Sequence, residues 1–321
     1  MRRWALLGLA VAVAAGAAYG YRELFYRPPL PDGDCPKSAP VFLATVPHDV
    51  RHYDIAAVDP GTGKESRVTT DHESWDGAVS PDGKTIAFVT GRDGAWDETS
   101  AFHTSSLYVM DADGSNQRRL VPGLHFEDPA WSPDGKWIAF AGDFEKRGAN
   151  GIFVARADGT GMRRIVDTFE YERLYSPTWS PDGERIAFVY ATEETGVVHV
   201  VEVDGKSLFD STAVTSFHAD IDQLEWSPAG DTLVFDALGT EPTRGVYTLE
   251  LGSGDPDLAF ANAQSPSWSP DGSRIAYFSG RGEGPYRVTV SAPTGRRRTD
   301  FDKTYDFDTS IEDLSWTRCP D

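Results

Sequence analysis

One five-residue pattern returns along this chain at nearly even intervals, and it restricts the fold more than any other feature. It reads Val79-Ser80-Pro81-Asp82-Gly83, Trp131-Ser132-Pro133-Asp134-Gly135 and Trp179-Ser180-Pro181-Asp182-Gly183. It recurs as Trp226-Ser227-Pro228-Ala229-Gly230 and Trp268-Ser269-Pro270-Asp271-Gly272, and a sixth copy starts at Ser315-Trp316-Thr317 and breaks off. From Val79 to Trp316 the spacings are 52, 48, 47, 42 and 48 residues. A period of this length suits a blade of four antiparallel strands.

The residues within one period agree. Pro-Asp-Gly is a tight-turn signal, with Pro fixing φ and Gly accepting φ > 0. An apolar, β-rich strand follows each copy: Thr85–Val89, Trp137–Ala141, Arg185–Tyr190, Thr232–Asp236 and Arg274–Ser279. A variable loop leads to a third strand such as Ser106–Met110 or Gly151–Ala155. A second turn, such as Asp111-Ala112-Asp113-Gly114, precedes a short outer strand such as Arg118–Val121. Outside the N-terminal segment no helical periodicity stands out. The chain is predicted to be an all-β, six-bladed propeller.

Closure of the ring follows from the ends. Five residues remain after Trp316, enough to finish one innermost strand. Val41–Val46, Tyr53–Val58 and Ser66–Thr69 supply the three strands missing from that blade. The last blade therefore joins one C-terminal to three N-terminal strands, and the propeller occupies residues 38–321. Cys35 and Cys319, the two cysteines, fall on either side of the break, where a turn would otherwise join the strands. A Cys35–Cys319 disulfide is expected there, in an exported protein.

Export is read from the N-terminus. Trp4–Tyr21 is an uncharged run of 18 residues after Arg2 and Arg3. At 1.5 Å per residue it would extend about 27 Å, close to the hydrocarbon thickness of a bilayer. Tyr19, Tyr21 and Arg22 resemble an interfacial belt. Residues 1–27 are thus read as a signal anchor, with a cleaved signal peptide as the alternative, and residues 28–37 as a linker. The propeller is then placed outside the cytoplasm.

The formal charge is −20, from 50 acidic and 30 basic side chains. Without residues 1–27 it becomes −23, on 49 acids and 26 bases. This disfavours nucleic-acid binding and attachment to anionic lipid through a basic surface. Four positions before each inner strand are expected to ring the central channel: 73–76, 125–128, 173–176, 220–223, 262–265 and 310–313. These 24 positions hold Glu73, Asp76, Glu127, Asp128, Asp220, Asp222, Glu312 and Asp313, twice the acid density of the chain, with Arg173 as their one base. A concave ring of one sign focuses the field and attracts cations. The alternative is that these acids cap strand starts and loop amides.

Six of the seven histidines, His48, His52, His72, His103, His125 and His218, map to the same predicted face. Histidine with carboxylates is common metal chemistry, although no compact ligand spacing appears. Asp111-Ala-Asp113-Gly-Ser-Asn116 lacks the closing Glu of a calcium loop and reads as a hairpin turn. The run Arg296-Arg297-Arg298 reads as a solvated outer edge.

The stretches Trp131-Ser-Pro-Asp-Gly-Lys-Trp-Ile-Ala-Phe140 and Trp179-Ser-Pro-Asp-Gly-Glu-Arg-Ile-Ala-Phe188 resemble the repeats of the TolB-type six-bladed propeller family. That resemblance covers nearly all of the exported part and implies the fold. Residues 28–40 are too few for the additional domain that precedes the propeller in TolB. No Gly-x-Ser-x-Gly elbow points to a hydrolase. The expected function is a non-enzymatic scaffold, monomeric and without a cofactor, that binds an envelope protein or cationic peptide at its loop face. A metal-dependent hydrolase or polysaccharide lyase of the propeller class is the rival reading.

Overall fold

The Ser-Pro-Asp-Gly copies are hydrogen-bonded turns. In each, the Gly amide donates to the Ser carbonyl, as from Gly135 to Ser132 at 2.9 Å, and Gly135 has φ +68°. The Ser hydroxyl donates to the Asp carboxylate, which accepts from the amide two residues on: Ser132 and Lys136 meet Asp134 at 2.7 and 3.0 Å. The same Ser oxygen accepts from the first residue of the next strand, Trp137, at 2.9 Å. Where Ala229 replaces Asp, Asp231 takes its place, accepting from the Ser227 hydroxyl at 3.2 Å. These bonds hold the Asp82, Asp182 and Asp271 carboxyls below their ordinary value, Ser hydroxyl first among the causes. Asp134 falls to about 2.

The computed structural model describes residues 41–47, 52–59, 64–93, 104–123, 125–143, 150–168, 172–192, 196–204, 211–215, 219–238, 244–280, 286–293, 299–305 and 314–317. Strands β1 (Val41–Pro47), β2 (Tyr53–Asp59) and β3 (Lys64–Arg67) come first. The first full blade is β4 (Ser74–Val79), β5 (Thr85–Thr90), β6 (Ser106–Asp111) and β7 (Arg118–Val121). The second is β8 (His125–Trp131), β9 (Trp137–Asp143), β10 (Asn150–Arg156) and β11 (Arg163–Asp167). The third is β12 (Arg173–Trp179), β13 (Arg185–Ala191), β14 (Gly196–Glu202) and β15 (Thr212–Ala213). The fourth is β16 (Asp220–Trp226), β17 (Thr232–Leu238), β18 (Arg244–Glu250) and β19 (Asp257–Ala261). The fifth is β20 (Ala263–Trp268), β21 (Ile275–Ser279), β22 (Tyr286–Ser291) and β23 (Thr299–Tyr305), and β24 (Leu314–Thr317) follows.

These form six four-stranded antiparallel sheets, and the closing sheet has the order β24-β1-β2-β3. Phe42 pairs with Trp316 across the join, as the predicted closure requires. Residues 1–27, Cys35 and Cys319 lie outside the described residues, as do Glu312 and Asp313. Among the described residues no helix is long and apolar enough to cross a membrane.

The Ile-Ala-Phe strand explains how blades stack. Side chains alternate between sheet faces, and here both faces are buried. Ile138 and Phe140 pack back onto Ala87, Leu107 and Val109 of the first blade. Ala139 and Ala141 face forward and receive Ile186 and Phe188 of the third. Ala187 and Val189 in turn receive Leu233 and Phe235. Large residues backward and small ones forward let successive sheets interlock.

The repeat Trp ties blades in two ways. The indoles of Trp131 and Trp179 donate to the carbonyls of Ala78 and Ala130, both at 3.1 Å. Where the residue before the previous Trp has a side-chain acceptor, the next backbone amide uses it instead. Trp226 N thus donates to Thr178 Oγ1 at 3.4 Å, Trp268 N to Glu225 Oε2 at 2.8 Å and Trp316 N to Ser267 Oγ at 2.9 Å.

Candidate functional site

The inner strands begin earlier than expected. Residues 125–128, 173–176 and 220–223 are strand rather than preceding loop, because β8, β12 and β16 start at His125, Arg173 and Asp220. Each described inner strand of a full blade carries an irregularity in its register, between Glu127 and Ala130 in β8 for example. Asp76, Asp128, Ser176 and Ser265 sit there with φ of 51°, 54°, 48° and 52°. Asp tolerates this left-handed region better than most residues, its short polar side chain bonding locally.

Two of the predicted acids are committed to the ring itself. Asp128 N donates to Asp76 Oδ2 at 3.1 Å, and Ser176 N donates to Asp128 Oδ2 at 2.7 Å. Asp76 N donates to Thr45 Oγ1 at 3.2 Å. A hydrogen-bonded ladder therefore passes from the closing blade through the first and second to the third. For Asp76 and Asp128 the capping alternative describes the observed contacts.

A cavity of about 660 Å³ lies at the starts of the inner strands. It brings together Asp76, Glu127, Asp128, Asp220 and Asp222; Glu73 does not line it. Arg173 and Arg244 also line the cavity. Arg173 contacts both Glu127 carboxylate oxygens, at 3.1 and 3.2 Å. His125 Nε2 lies 3.5 Å from Glu127. Burial works to raise the Glu127 carboxyl, but His125 and Arg173 outweigh it and hold it below its ordinary value. The Glu127 bond, opposed by burial, raises His125 above its usual range.

Arg244 Nη1 lies 2.8 Å from Asp236 and 3.1 Å from Asp222, and Nη2 lies 3.3 Å from Asp220. Asp236 is buried, and desolvation with the nearby Asp222 charge raises it to about 7 despite Arg244. Asp220 and Asp222 remain 69% and 66% exposed at their side chains, so they present charge to solvent. The cavity contains six carboxyl groups against two guanidinium groups. It is acidic, but not of one sign.

Asp236 and Arg244 come from β17 and β18, outside the windows read from sequence. Asp236 was visible as an anomaly: it stands where Val89, Ala141, Val189 and Phe278 occupy the other repeats. Arg244 gives no comparable signal.

The described histidines have separate roles. His72 Nδ1 is 2.8 Å from buried Asp54, which also holds Arg67 at 2.6 Å. His125 belongs to the Glu127 cluster, and His48, His103 and His218 lie outside the described residues. Among the described residues no three His, Cys, Asp or Glu side chains are placed to hold a metal ion. Asp111–Asn116 forms the β6–β7 turn, with Gly114 N donating to Asp111 O at 2.8 Å.

A second cavity, of about 310 Å³, continues down the channel and shares Asp76, Asp128, Asp222 and Gln223 with the first. Its wall includes Pro81 and Pro133 of the opposite, Ser-Pro-Asp-Gly face.

The family model described as the TolB beta propeller domain matches residues 168–312. An uncharacterized protein of Agrobacterium fabrum is 35% identical over 112 residues, 34% of each chain. The Tol-Pal system protein TolB of Legionella pneumophila is 45% identical over 65 residues, 20% of this chain and 15% of that protein. The match thus spans well under two thirds of these relatives. The crystal structure of TolB from Acinetobacter baumannii superposes with a TM-score of 0.66 at 16% identity, over 87% of this chain and 66% of that one. Five full blades closed by a composite sixth, the turn chemistry and the family match agree: this chain is a six-bladed propeller, and its residues 168–312 are similar to the TolB beta propeller domain.

Proposed function

We propose that the propeller is an extracytoplasmic protein-binding scaffold that takes a cationic segment of an envelope partner at the loop-face cavity. The observation carrying this reading is the excess of carboxylates over guanidinium groups there, with Asp220 and Asp222 open to solvent. Glu127, Asp220 and Asp222 are the contact residues; Asp76 and Asp128 hold the ring open around them. Glu73 is set aside from the contact surface, and Glu312 and Asp313 belong to the proposal through the sequence alone. A lysine or arginine entering the cavity would compete with Arg244 for two exposed carboxylates, so affinity should fall with salt. The TolB proteins that resemble this chain carry a name from an envelope system, which supports the location. Residues 1–27 are proposed to anchor the scaffold in the membrane, or to be cleaved after export, and Cys35–Cys319 to clasp the ring. The scaffold is proposed to act as a monomer and without a cofactor.

The test is anisotropy of a labelled tetralysine peptide on the exported part. Wild type should bind it more weakly as salt rises. Asp220→Asn with Asp222→Asn should weaken binding about tenfold, as expected for two charge contacts near 0.7 kcal/mol each. Equal binding by the double variant contradicts the assignment.

A further inference from the structure

The lower channel has a tier of six residues, each one position before the repeat Trp or Val: Ala78, Ala130, Thr178, Glu225, Ser267 and Ser315. Five are small and uncharged, and the sixth is a glutamate. Its structural task is to accept a hydrogen bond from the next Trp amide, at 2.8 Å. Thr178 and Ser267 do the same for Trp226 and Trp316 with neutral hydroxyls. The ring therefore does not need a charge at this position.

No Lys, Arg or His among the described residues forms an ion pair with Glu225. The remaining charged residues of this cavity are Asp76, Asp128 and Asp222, all of the same sign. Burial raises the Glu225 carboxyl to about 7, with the Trp268 amide and the Ser267 hydroxyl opposing. Gln223, two residues earlier and on the wall of both cavities, donates through Nε2 to Leu314 O at 3.0 Å. Its Oε1 is buried without a donor among the described residues. Among the described residues, one channel of about 310 Å³ thus holds a carboxyl with no paired cation and an amide oxygen with no donor. A compact group with several N–H donors and a positive charge complements both. An alkylammonium has three such donors on a slim stem.

We propose that the lower channel binds a primary ammonium group, with Glu225 as its counter-ion and the Gln223 amide oxygen as a second acceptor. The ammonium could be carried by a free alkylamine or by a partner's lysine. The lysine form rests on the loop-face reading, because that side chain would enter through the acidic mouth.

Titration calorimetry of the full-length chain with n-butylammonium, and with 1-butanol as the neutral comparison, tests the site. Wild type should bind the amine saturably and not the alcohol. Glu225→Gln, which keeps an acceptor for the Trp268 amide, should bind it at least about tenfold more weakly, the loss of one charge-assisted contact. Gln223→Leu should weaken it by a smaller factor. A blocked Gly-Gly-Lys-Gly-Gly peptide and its norleucine analogue separate the sources. Lysine-specific, Glu225-dependent binding assigns a partner side chain, whereas Glu225-dependent binding of butylammonium alone assigns a free amine. Absence of saturable binding by either probe, or binding unchanged by Glu225→Gln, overturns the proposal. Those results leave the mouth reading untouched, since it is judged on tetralysine and the Asp220/Asp222 variant.

Discussion

The carboxylate of Asp128 accepts a hydrogen bond from the backbone amide of Ser176, 2.7 Å away in the next blade. Asp128 has φ 54° and Ser176 has φ 48°, so two left-handed residues on adjacent inner strands are locked by one side chain. A charged acceptor on a partly buried amide is worth more than an ordinary hydrogen bond, and losing it leaves the amide unsatisfied. Asp128→Ala should therefore lower unfolding free energy by about 1–3 kcal/mol. Asp128→Asn, which keeps a carbonyl acceptor, should recover part of it. Urea unfolding of both variants checks this; equal loss in the two would show that the ladder bond does not carry the effect.

The turn aspartates give the fold an acid limit. Asp82, Asp134, Asp182 and Asp271 are all held below their ordinary value in the folded chain. A lowered folded value means stabilisation that is complete above the unfolded carboxyl range, near 4, and lost as pH falls through the folded value. Asp134 extends that loss down to about pH 2. The groups are largely exposed, so each contribution is small. Thermal midpoints measured from pH 5 to pH 2 should fall less steeply in Asp134→Asn than in wild type, from a lower starting point. Parallel curves would contradict this role.

Interlocking of blades predicts a large packing effect at Phe140, which is fully buried between the first and second blades. Phe140→Ala should cost about 3–5 kcal/mol, the range for removing a buried aromatic. Ala139→Leu adds volume on the opposite face of the same strand, where the third blade seats, and should cost about 1–3 kcal/mol. Denaturant titration measures both, and a neutral Ala139→Leu would mean the forward face is not tightly filled.

Much of this architecture was legible in the sequence because it depends on local chemistry. Pro-Asp-Gly dictates a turn, Ile-Ala-Phe dictates a strand buried on both faces, and even spacing dictates repetition. The ring closure by β24 and β1 followed from counting strands. The site was less legible because it depends on partners distant in sequence. Asp76 and Asp128 look like the exposed acids at 220 and 222, yet their carboxylates are used by amides 52 and 48 residues away. Arg244 reaches Asp220 and Asp222 from two strands later. Glu225 was hidden for another reason. It occupies a position that is small elsewhere, and only the tier of six around the channel shows the departure.

His125 offers a direct readout of the mouth. Its bond to Glu127 raises its protonation midpoint above the ordinary histidine value, against the opposing effect of burial. The pair's stabilisation is complete below that ordinary value and fades as pH rises through the raised one. An NMR titration of His125 should show the elevated midpoint, and Glu127→Gln should lower it. A midpoint indifferent to Glu127→Gln would remove the contact from the account.

Hydrogen exchange on residues 28–321 with and without bound tetralysine tests the binding claim most directly. Protection should appear at the starts of β12, β16 and β18, around Arg173, Asp220–Gln223 and Arg244, and should vanish in the Asp220→Asn/Asp222→Asn variant. Protection confined to the outer strands β7 and β11, or to the Ser-Pro-Asp-Gly turns, would contradict a partner site at the channel mouth.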